Sequence, residues 1–281
     1  MIDIDMTRVL NVGIAMSTQK DRNKLLELII SEAMLITNCD GGTLYTYEAD
    51  CLRFKIMRNN SLGTYQGGGE GAVDLPPVPL LPSHVCAYCA INRCSINIAD
   101  VYDSREFDFS GPLKYDSITG YRTRSMLVVP FENTRGDVIG VLQLINAQDE
   151  NGTVIPFSHD LEKIITALAS QAAVCVTNTM YLQDIKELFQ SFVQVMITAI
   201  DELSPYNVNH TRRITEFADH FLDYLNELYA KGEYDEHFDD NRREQLIMAA
   251  WMHDIGKLIT PLPVMNKATR LGEAFPAVMA R

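Results

Sequence analysis

The stretch Trp251-Met252-His253-Asp254-Ile255-Gly256-Lys257 gathers residues that could do chemistry together. An imidazole directly followed by a carboxylate is a poor surface choice but a good metal-ligand pair. Neutral ring nitrogen and carboxylate oxygen suit a first-row divalent cation, and one ion could hold both near a single substrate oxygen. Gly256 would let the backbone come close to a ligand, and Lys257 adds a fixed positive charge. The competing reading is a hydrogen-bonded pair that merely closes a helix. The run Arg242 to Ala250, with Leu246, Ile247 and Ala250 apolar, predicts a helix with one buried stripe leading into the motif.

A second histidine lies upstream, in Asn207-Val208-Asn209-His210-Thr211-Arg212-Arg213-Ile214. The set Ser204-Pro205-Tyr206, His210, Arg213, His253 to Lys257, Pro261, Pro263 and Lys267 resembles the HD superfamily of metal-dependent phosphohydrolases, most closely its HD-GYP branch. The resemblance runs from about Ala199 onward. It implies an all-α domain that binds two or three divalent metal ions of the Fe, Mn or Mg class, in a branch where many members cleave cyclic di-GMP. It also implies that His210, His253 and Asp254 bind metal and that Lys257 contacts substrate phosphate.

The family's later metal-binding histidines, its Gly-Tyr-Pro loop and its final Asp have no counterpart. Only 27 residues follow Asp254 in the chain of 281, and none is His or Asp. Glu273 remains as an unmatched carboxylate. The expectation is an incomplete metal site here, from either a domain cut short or a degenerate half. The ending Ala277-Val278-Met279-Ala280-Arg281, without a polar tail, favours a cut.

The elements that must position these residues fall into two domains by length. The net charge of −13 argues against a nucleic-acid polymer or an anionic membrane as partner, yet leaves room for a small phosphate ligand in a local cationic pocket. No run of eighteen apolar residues exists, so no transmembrane helix is expected. The acidic start Met1-Ile2-Asp3-Ile4-Asp5 is not a secretory signal. Six irregularly spaced cysteines read as reduced thiols in a cytoplasmic protein.

Residues 1–17 predict a short helical lead. Thr18 and Asp21 look like a capping pair for a helix from about Asp21 to Ile36, with Leu25, Leu26, Ile29, Ile30 and Ala33 on one face. Thr43 to Tyr47 and Cys51 to Met57 predict a hairpin around Glu48-Ala49-Asp50. Asn59 to Ser83, rich in Gly and Pro, reads as a long loop, either a lid or a plain surface loop. A short helix is expected over His84 to Asn92 and a strand over Ser95 to Ala99, followed by a polar connection to about Gly120. Arg124 to Phe131 and Asp137 to Asn146 predict the clearest hairpin. A long helix begins near Ser158, with Leu161, Ile164, Ile165, Leu168 and Ala172 at core spacing.

This order is similar to that of a GAF domain over about residues 18–182. The carriers are Asn97-Ile98-Ala99-Asp100, Ser125-Met126-Leu127-Val128-Val129-Pro130, Ile139-Gly140-Val141-Leu142-Gln143-Leu144-Ile145-Asn146 and Pro156-Phe157-Ser158. The resemblance implies an α/β sensor whose antiparallel sheet has helices on one face and a small-molecule pocket on the other. Cyclic-nucleotide members carry Asn-Lys, then Phe and Asp-Glu. Here Ala147 follows Asn146, and Leu161 splits Asp160 from Glu162, so that signature is incomplete and the ligand stays open.

Cys86, Cys89 and Cys94 could supply three thiolates to zinc or an iron–sulfur cluster, with His84, Cys39 or Cys51 as a fourth ligand, or could act in redox sensing. The alternative is buried inert thiols, Cys86 and Cys89 lying one turn apart on a helix. Beyond Met180 the helix continues through Leu182, Ile185, Phe189, Phe192, Met196 and Ile200. Such a seam could pair with a second copy as a homodimeric coiled coil, or pack on the chain's own helices. Ile214, Phe217, Ala218, Phe221, Leu222 and Leu225 predict one more amphipathic helix, and Gly232 to Asp240 a loop.

The expected fold is α+β: a GAF domain over 18–182, a connecting helix over 183–202 and part of an HD domain over 203–281. Two functions follow. One is a signalling protein in which a ligand-sensing GAF domain controls a metal-dependent phosphodiesterase. The other is a non-catalytic GAF binding or dimerisation module with a degenerate HD scaffold.

Overall fold

The computed structural model describes residues 6–71, 73–203, 209–261, 264 and 274–280. The chain divides into two compact units, Met1–Leu182 and Gln183–Arg281.

The first unit opens with helices α1 (Met6–Thr18) and α2 (Arg22–Thr37). The expected capping pair is a single cap. Asp21 accepts from the Lys24 amide at 3.0 Å, while the Thr18 hydroxyl donates back to the Ala15 carbonyl. Strands β1 (Cys39–Glu48) and β2 (Cys51–Asn59) form the first hairpin. Ala49 and Asp50 both have positive φ, 48° and 58°, as a two-residue turn that follows the strand twist requires. The stretch from Asn59 to Ser83, expected as a loop, adds β3 (Thr64–Gly67) and β4 (Val78–Pro79), both paired to β2. They satisfy backbone groups that would otherwise be left on the outer side of β2.

Helix α3 (Val85–Asn92) and strand β5 (Ile96–Ile98) follow. The connection after them contains α4 (Ser110–Thr119), which Gly120 ends at φ 72°. Its sequence, Ser-Gly-Pro-Leu-Lys-Tyr-Asp-Ser-Ile-Thr, has no apolar stripe, so hydrophobic periodicity could not reveal it. Strands β6 (Met126–Glu132), β7 (Val138–Gln148) and β8 (Val154–Ile155) complete an antiparallel sheet of order β3-β2-β1-β7-β6-β5, with β4 on β2 and β8 on β7. Helix α5 (His159–Leu203) then runs on without a break.

Alternation along the strands sends side chains to two separate cores. Leu44, Leu127, Val129, Leu142 and Leu144 join Leu25, Ile29, Ile165, Leu168 and Ala172 from α2 and α5. Tyr45, Met126, Val128 and Val141 face the other way, toward Val85, Cys86 and Cys89 of α3 and toward Phe109. The sheet is therefore helix-covered on one face and partly open on the other, an α+β arrangement with flanking helices.

In the second unit α6 (His210–Ala230) and α7 (Asp240–Met252) pack together. Arg243 clasps α6, with Nε 2.7 Å from Asp219 Oδ1 and Nη1 2.5 Å from Asp223 Oδ1. These hydrogen bonds, to Asp223 first, raise the Arg243 pKa further and lower that of Asp223. Asn226 binds both the amide and the carbonyl of Phe238 at 2.9 Å, fixing the connection between the helices. A 3₁₀ turn, Ile255–Ile259, and helix α8 (Phe275–Met279) follow.

The sequence-based seam along α5 is split by the structure. Ile200 is buried and Met196 half-buried, whereas Leu182, Ile185, Phe189 and Phe192 are exposed. By length and composition alone, α5 within His159–Ile200 is apolar enough to cross a membrane, with mean hydropathy 1.2 over its best window; 39% of that window is buried inside the protein.

Candidate functional sites

On the open face of the sheet lies a cavity of about 550 Å³. Thr43 and Tyr45 of β1, Phe54 of β2, Met126 of β6, and Gln143 and Ile145 of β7 contribute to its lining. Pro76 to Pro79, His84 to Cys86 and the first half of α4 complete the wall. Its buried polar pair is fixed: the Tyr45 hydroxyl donates to Gln143 Oε1 at 2.9 Å. Arg58, Lys114 and Asp108 add charged groups to the lining. A concave, largely apolar site with a few oriented polar groups suits a small organic ligand.

Two buried polar hubs hold the segments around this cavity. Asp116 of α4 accepts from the Tyr102 hydroxyl, the Thr123 amide and the Thr123 hydroxyl at 2.8, 2.8 and 2.9 Å. Asn146, in the left-handed region at φ 57°, accepts from the Arg124 amide. It donates to the Arg122 carbonyl and to Tyr121 Oη. Tyr121 in turn donates to Asp40 Oδ2 at 2.6 Å, and Asp40 also accepts from the Ser61 amide and hydroxyl. Burial, then the Asp40 carboxylate, pushes the Tyr121 pKa well up, so the phenol keeps its proton. The motif residue Asn146 thus ties the end of β7 to the loop before β6. Sequence reasoning missed Asp40, Asp116 and Tyr121, because their partners lie between 7 and 81 residues away and no local pattern marks them.

The three thiols do not gather. Cys86 and Cys89 are buried, Cys94 is exposed, and all are free. Among the described residues they form no group close enough to share an ion. Burial pushes the Cys86 pKa up to about 12, offset in part by its contact with Tyr45, and burial likewise raises Cys89. Iodoacetamide near pH 8 is therefore expected to label Cys94 and leave Cys86 and Cys89 unmodified, as peptide mapping would show. The folded Cys86 thiol holds its proton more tightly than the unfolded one. Its contribution to stability is complete below pH 9.0 and is lost between there and about 12.

In the second unit, α6 and α7 bring together the residues of the His-Asp motif. His210 opens α6, His253 caps α7, and Asp254 begins the following turn. One ligand atom from each lies within 4.8 Å of the others. Asp254 Oδ2 is 3.1 Å from His253 Nε2, 3.8 Å from His210 Nε2 and 2.5 Å from Lys257 Nζ. His253 Nδ1 is 2.7 Å from the Ala250 carbonyl. That oxygen can only accept, so Nδ1 carries a proton. Nε2 then faces Asp254 Oδ2 at 3.1 Å, either as a second N–H donor or as a lone pair that a bound cation would share with the carboxylate.

Octahedral or tetrahedral ligands about 2.1 Å from an ion stand about 3–4 Å apart, so these three fit one divalent ion with small side-chain shifts. Two imidazoles and a carboxylate suit the Fe and Mn class better than Mg. Among the described residues no atom lies within 4 Å of the Cβ that a side chain at Gly256 would have, so the backbone there is open on that side. Ser204, Pro205, Tyr206, Asn207, Val208, Pro263, Lys267 and Glu273 lie outside the described residues.

Comparison with known proteins places the first unit. A family model described as "GAF domain" matches residues 21–176. Two curated proteins share local identity. One, from Takifugu rubripes, is named a dual 3',5'-cyclic-AMP and -GMP phosphodiesterase 11A, 32% identical over 94 residues. The other, from Drosophila melanogaster, is a dual 3',5'-cyclic-AMP and -GMP phosphodiesterase 11, 36% identical over 83 residues. The matches cover 34% and 30% of this chain, and the chain spans only 10% and 5% of those proteins. Among solved structures, the GAF domain of an Acinetobacter phosphoenolpyruvate-protein phosphotransferase aligns at 13% identity and TM-score 0.49, covering 66% of this chain and 99% of that one. With its family model matched over more than half of its residues, the chain belongs to the GAF domain family.

Proposed function

We propose that this chain is a signalling protein in which a GAF domain senses a small molecule and regulates an HD-type, metal-dependent phosphodiesterase site. The observation that carries the reading is the convergence of His210, His253 and Asp254, with Lys257, on one point. Nothing in local sequence requires residues 43 positions apart to meet; a shared ion gives a reason.

A bound divalent ion would supply Lewis-acid activation of water and charge neutralisation at a phosphate. The chain's own groups do the rest. The Ala250 carbonyl fixes the His253 tautomer. Asp254 supplies the anion that makes the site cation-selective. Lys257 holds Asp254 in place and offers its ammonium to a phosphate oxygen. The two dual cyclic-nucleotide phosphodiesterases with local identity support a cyclic nucleotide as ligand or substrate, and the HD-GYP resemblance supports a cyclic dinucleotide. Either is a phosphodiester that this set of groups could engage. The free thiols fit a reducing cytoplasmic setting.

A second reading rests on the ligand count. Among the described residues the group stops at three, which fits a non-catalytic GAF module with a degenerate metal scaffold. Metal analysis of the purified protein separates the two, together with hydrolysis assays on cyclic AMP, cyclic GMP and cyclic di-GMP. Bound metal with turnover of one substrate supports the enzyme. Metal without turnover, alongside a thermal shift with a nucleotide, supports the sensor module. Absence of metal, turnover and shift together sinks both.

A further inference from the structure

One polar side chain in the cavity wall is placed to meet a group that the chain itself does not supply. Gln143, on β7 between β1 and β6, lines the cavity and is only 8% exposed. Its two ends are differently engaged. Oε1 accepts from the Tyr45 hydroxyl at 2.9 Å. Tyr45 is itself buried, and burial holds its phenol well above the usual range, so the hydroxyl stays a donor. The other end, Nε2, stands 3.2 Å from Met126 Sδ. A thioether sulfur is a weak acceptor, and the amide carries two N–H donors. Among the described residues Met126 is the only hydrogen-bond acceptor that Nε2 has. A buried donor with so poor a partner is costly. A ligand that brings an acceptor removes that cost, and one that brings a donor adds to it.

We infer that Gln143 selects the ligand of this cavity by the acceptor edge of a flat ring, favouring a ring carbonyl of the 6-oxopurine kind over an aminopurine. Guanine offers two adjacent acceptors, O6 and N7, whereas adenine sets its N6 amino donor beside N7. An amide reads adenine with both of its ends at once, and at Gln143 the oxygen end is held by Tyr45. What remains to offer is N–H, which suits a carbonyl and meets an amino group as donor against donor. Phe54, Met57 and Ile145 line the same cavity and give apolar surface for a ring face. Lys114 of α4, also in the lining and exposed, is a cation for an anionic tail such as a phosphate. The cavity of about 550 Å³ has room for a nucleotide. The inference rests on this cavity being the sensor's binding site, and it uses none of the metal-site residues.

Cyclic GMP, cyclic IMP and cyclic AMP share ribose and phosphate, so isothermal titration of the intact chain compares their base edges. EDTA in the buffer keeps metal-dependent turnover and metal-site binding out of the measurement. Cyclic GMP and cyclic IMP are expected to bind within a few-fold of each other, and cyclic AMP about 10-fold more weakly or worse. Gln143→Glu replaces the donor end by an acceptor while keeping the shape and the Tyr45 contact, so the preference should vanish or turn toward cyclic AMP. Tyr45→Phe releases Oε1, and cyclic AMP should gain several-fold relative to cyclic GMP. Circular dichroism checks that each variant folds; should Gln143→Glu unfold the protein, Tyr45→Phe carries the test alone. Cyclic AMP binding as tightly as cyclic GMP, cyclic IMP behaving like cyclic AMP, or a preference that neither substitution moves would each overturn the inference and leave the sensor reading in place. Binding of none of the three would overturn it too, and a thermal shift with a different small molecule would then still support the sensor.

Discussion

Asp254→Asn is expected to lower the affinity for Mn²⁺ by on the order of 100-fold or more, since loss of outer partners alone costs 10–100-fold at metal sites. Asp254 is the one carboxylate in the group, and its Oδ2 is the atom that faces both imidazoles and Lys257. Asparagine keeps the shape and removes the charge, so a loss would report coordination rather than folding. Lys257→Met should act in the opposite sense. It removes a cation 2.5 Å from the same oxygen, so Mn²⁺ should bind several-fold more tightly while inorganic phosphate binds the loaded protein more weakly. Isothermal titration with each variant reads both effects. Unchanged Mn²⁺ binding in Asp254→Asn would leave the motif as a helix-end hydrogen-bonded cluster.

The other large effect is expected in the sheet. Gly140 lies in β7 opposite Thr46 of β1 and Phe131 of β6. A Cβ at this position would stand 2.3 Å from the Tyr45 carbonyl oxygen and 3.5 Å from the Phe131 ring. The first contact is with backbone, which no side-chain rotation can relieve. Gly140→Val therefore forces β1 and β7 apart at the centre of the sheet, breaking ladder hydrogen bonds between two buried strands. A cost above about 4 kcal/mol is expected, in the range reserved for such backbone conflicts. Because Tyr45 also lines the cavity, ligand binding should fall with stability. Urea unfolding of Gly140→Val measures the cost, and Gly256→Ala, which meets none of the described residues within 4 Å, should stay within about 0.5 kcal/mol of the unsubstituted protein. Equal stability of all three proteins would contradict the close approach at Gly140.

Helix stripes and hairpins were legible because burial on one face imposes a period of 3.6 or 2 that survives in the residue order. Thus α2, α3 and the β6–β7 hairpin could be read from composition and turn residues; α6 and α7 are helices as expected, but the expected apolar stripes are not buried as such, with Leu246 of α7 and Phe217 and Phe221 of α6 exposed and no residue of α7 fully buried. The helix α4 could not be read, because its stability rests on Asp116 reaching Tyr102 and Thr123 rather than on an apolar stripe. The same holds for β3 and β4, short strands that exist by pairing with β2.

Residue order by itself determined which side chains could act as ligands, His210, His253, Asp254 and Lys257, and where β1, β2, β5, β6, β7 and the long helix would lie. Only the tertiary structure decided which of these meet. It joined the start of α6 to the end of α7, left Cys86, Cys89 and Cys94 apart, enclosed a cavity over the sheet, and rotated α5 so that Ile185 faces out and Ile200 in. Each of those outcomes depends on contacts between distant segments. Their free energy comes from shape and from buried hydrogen bonds rather than from any local repeat.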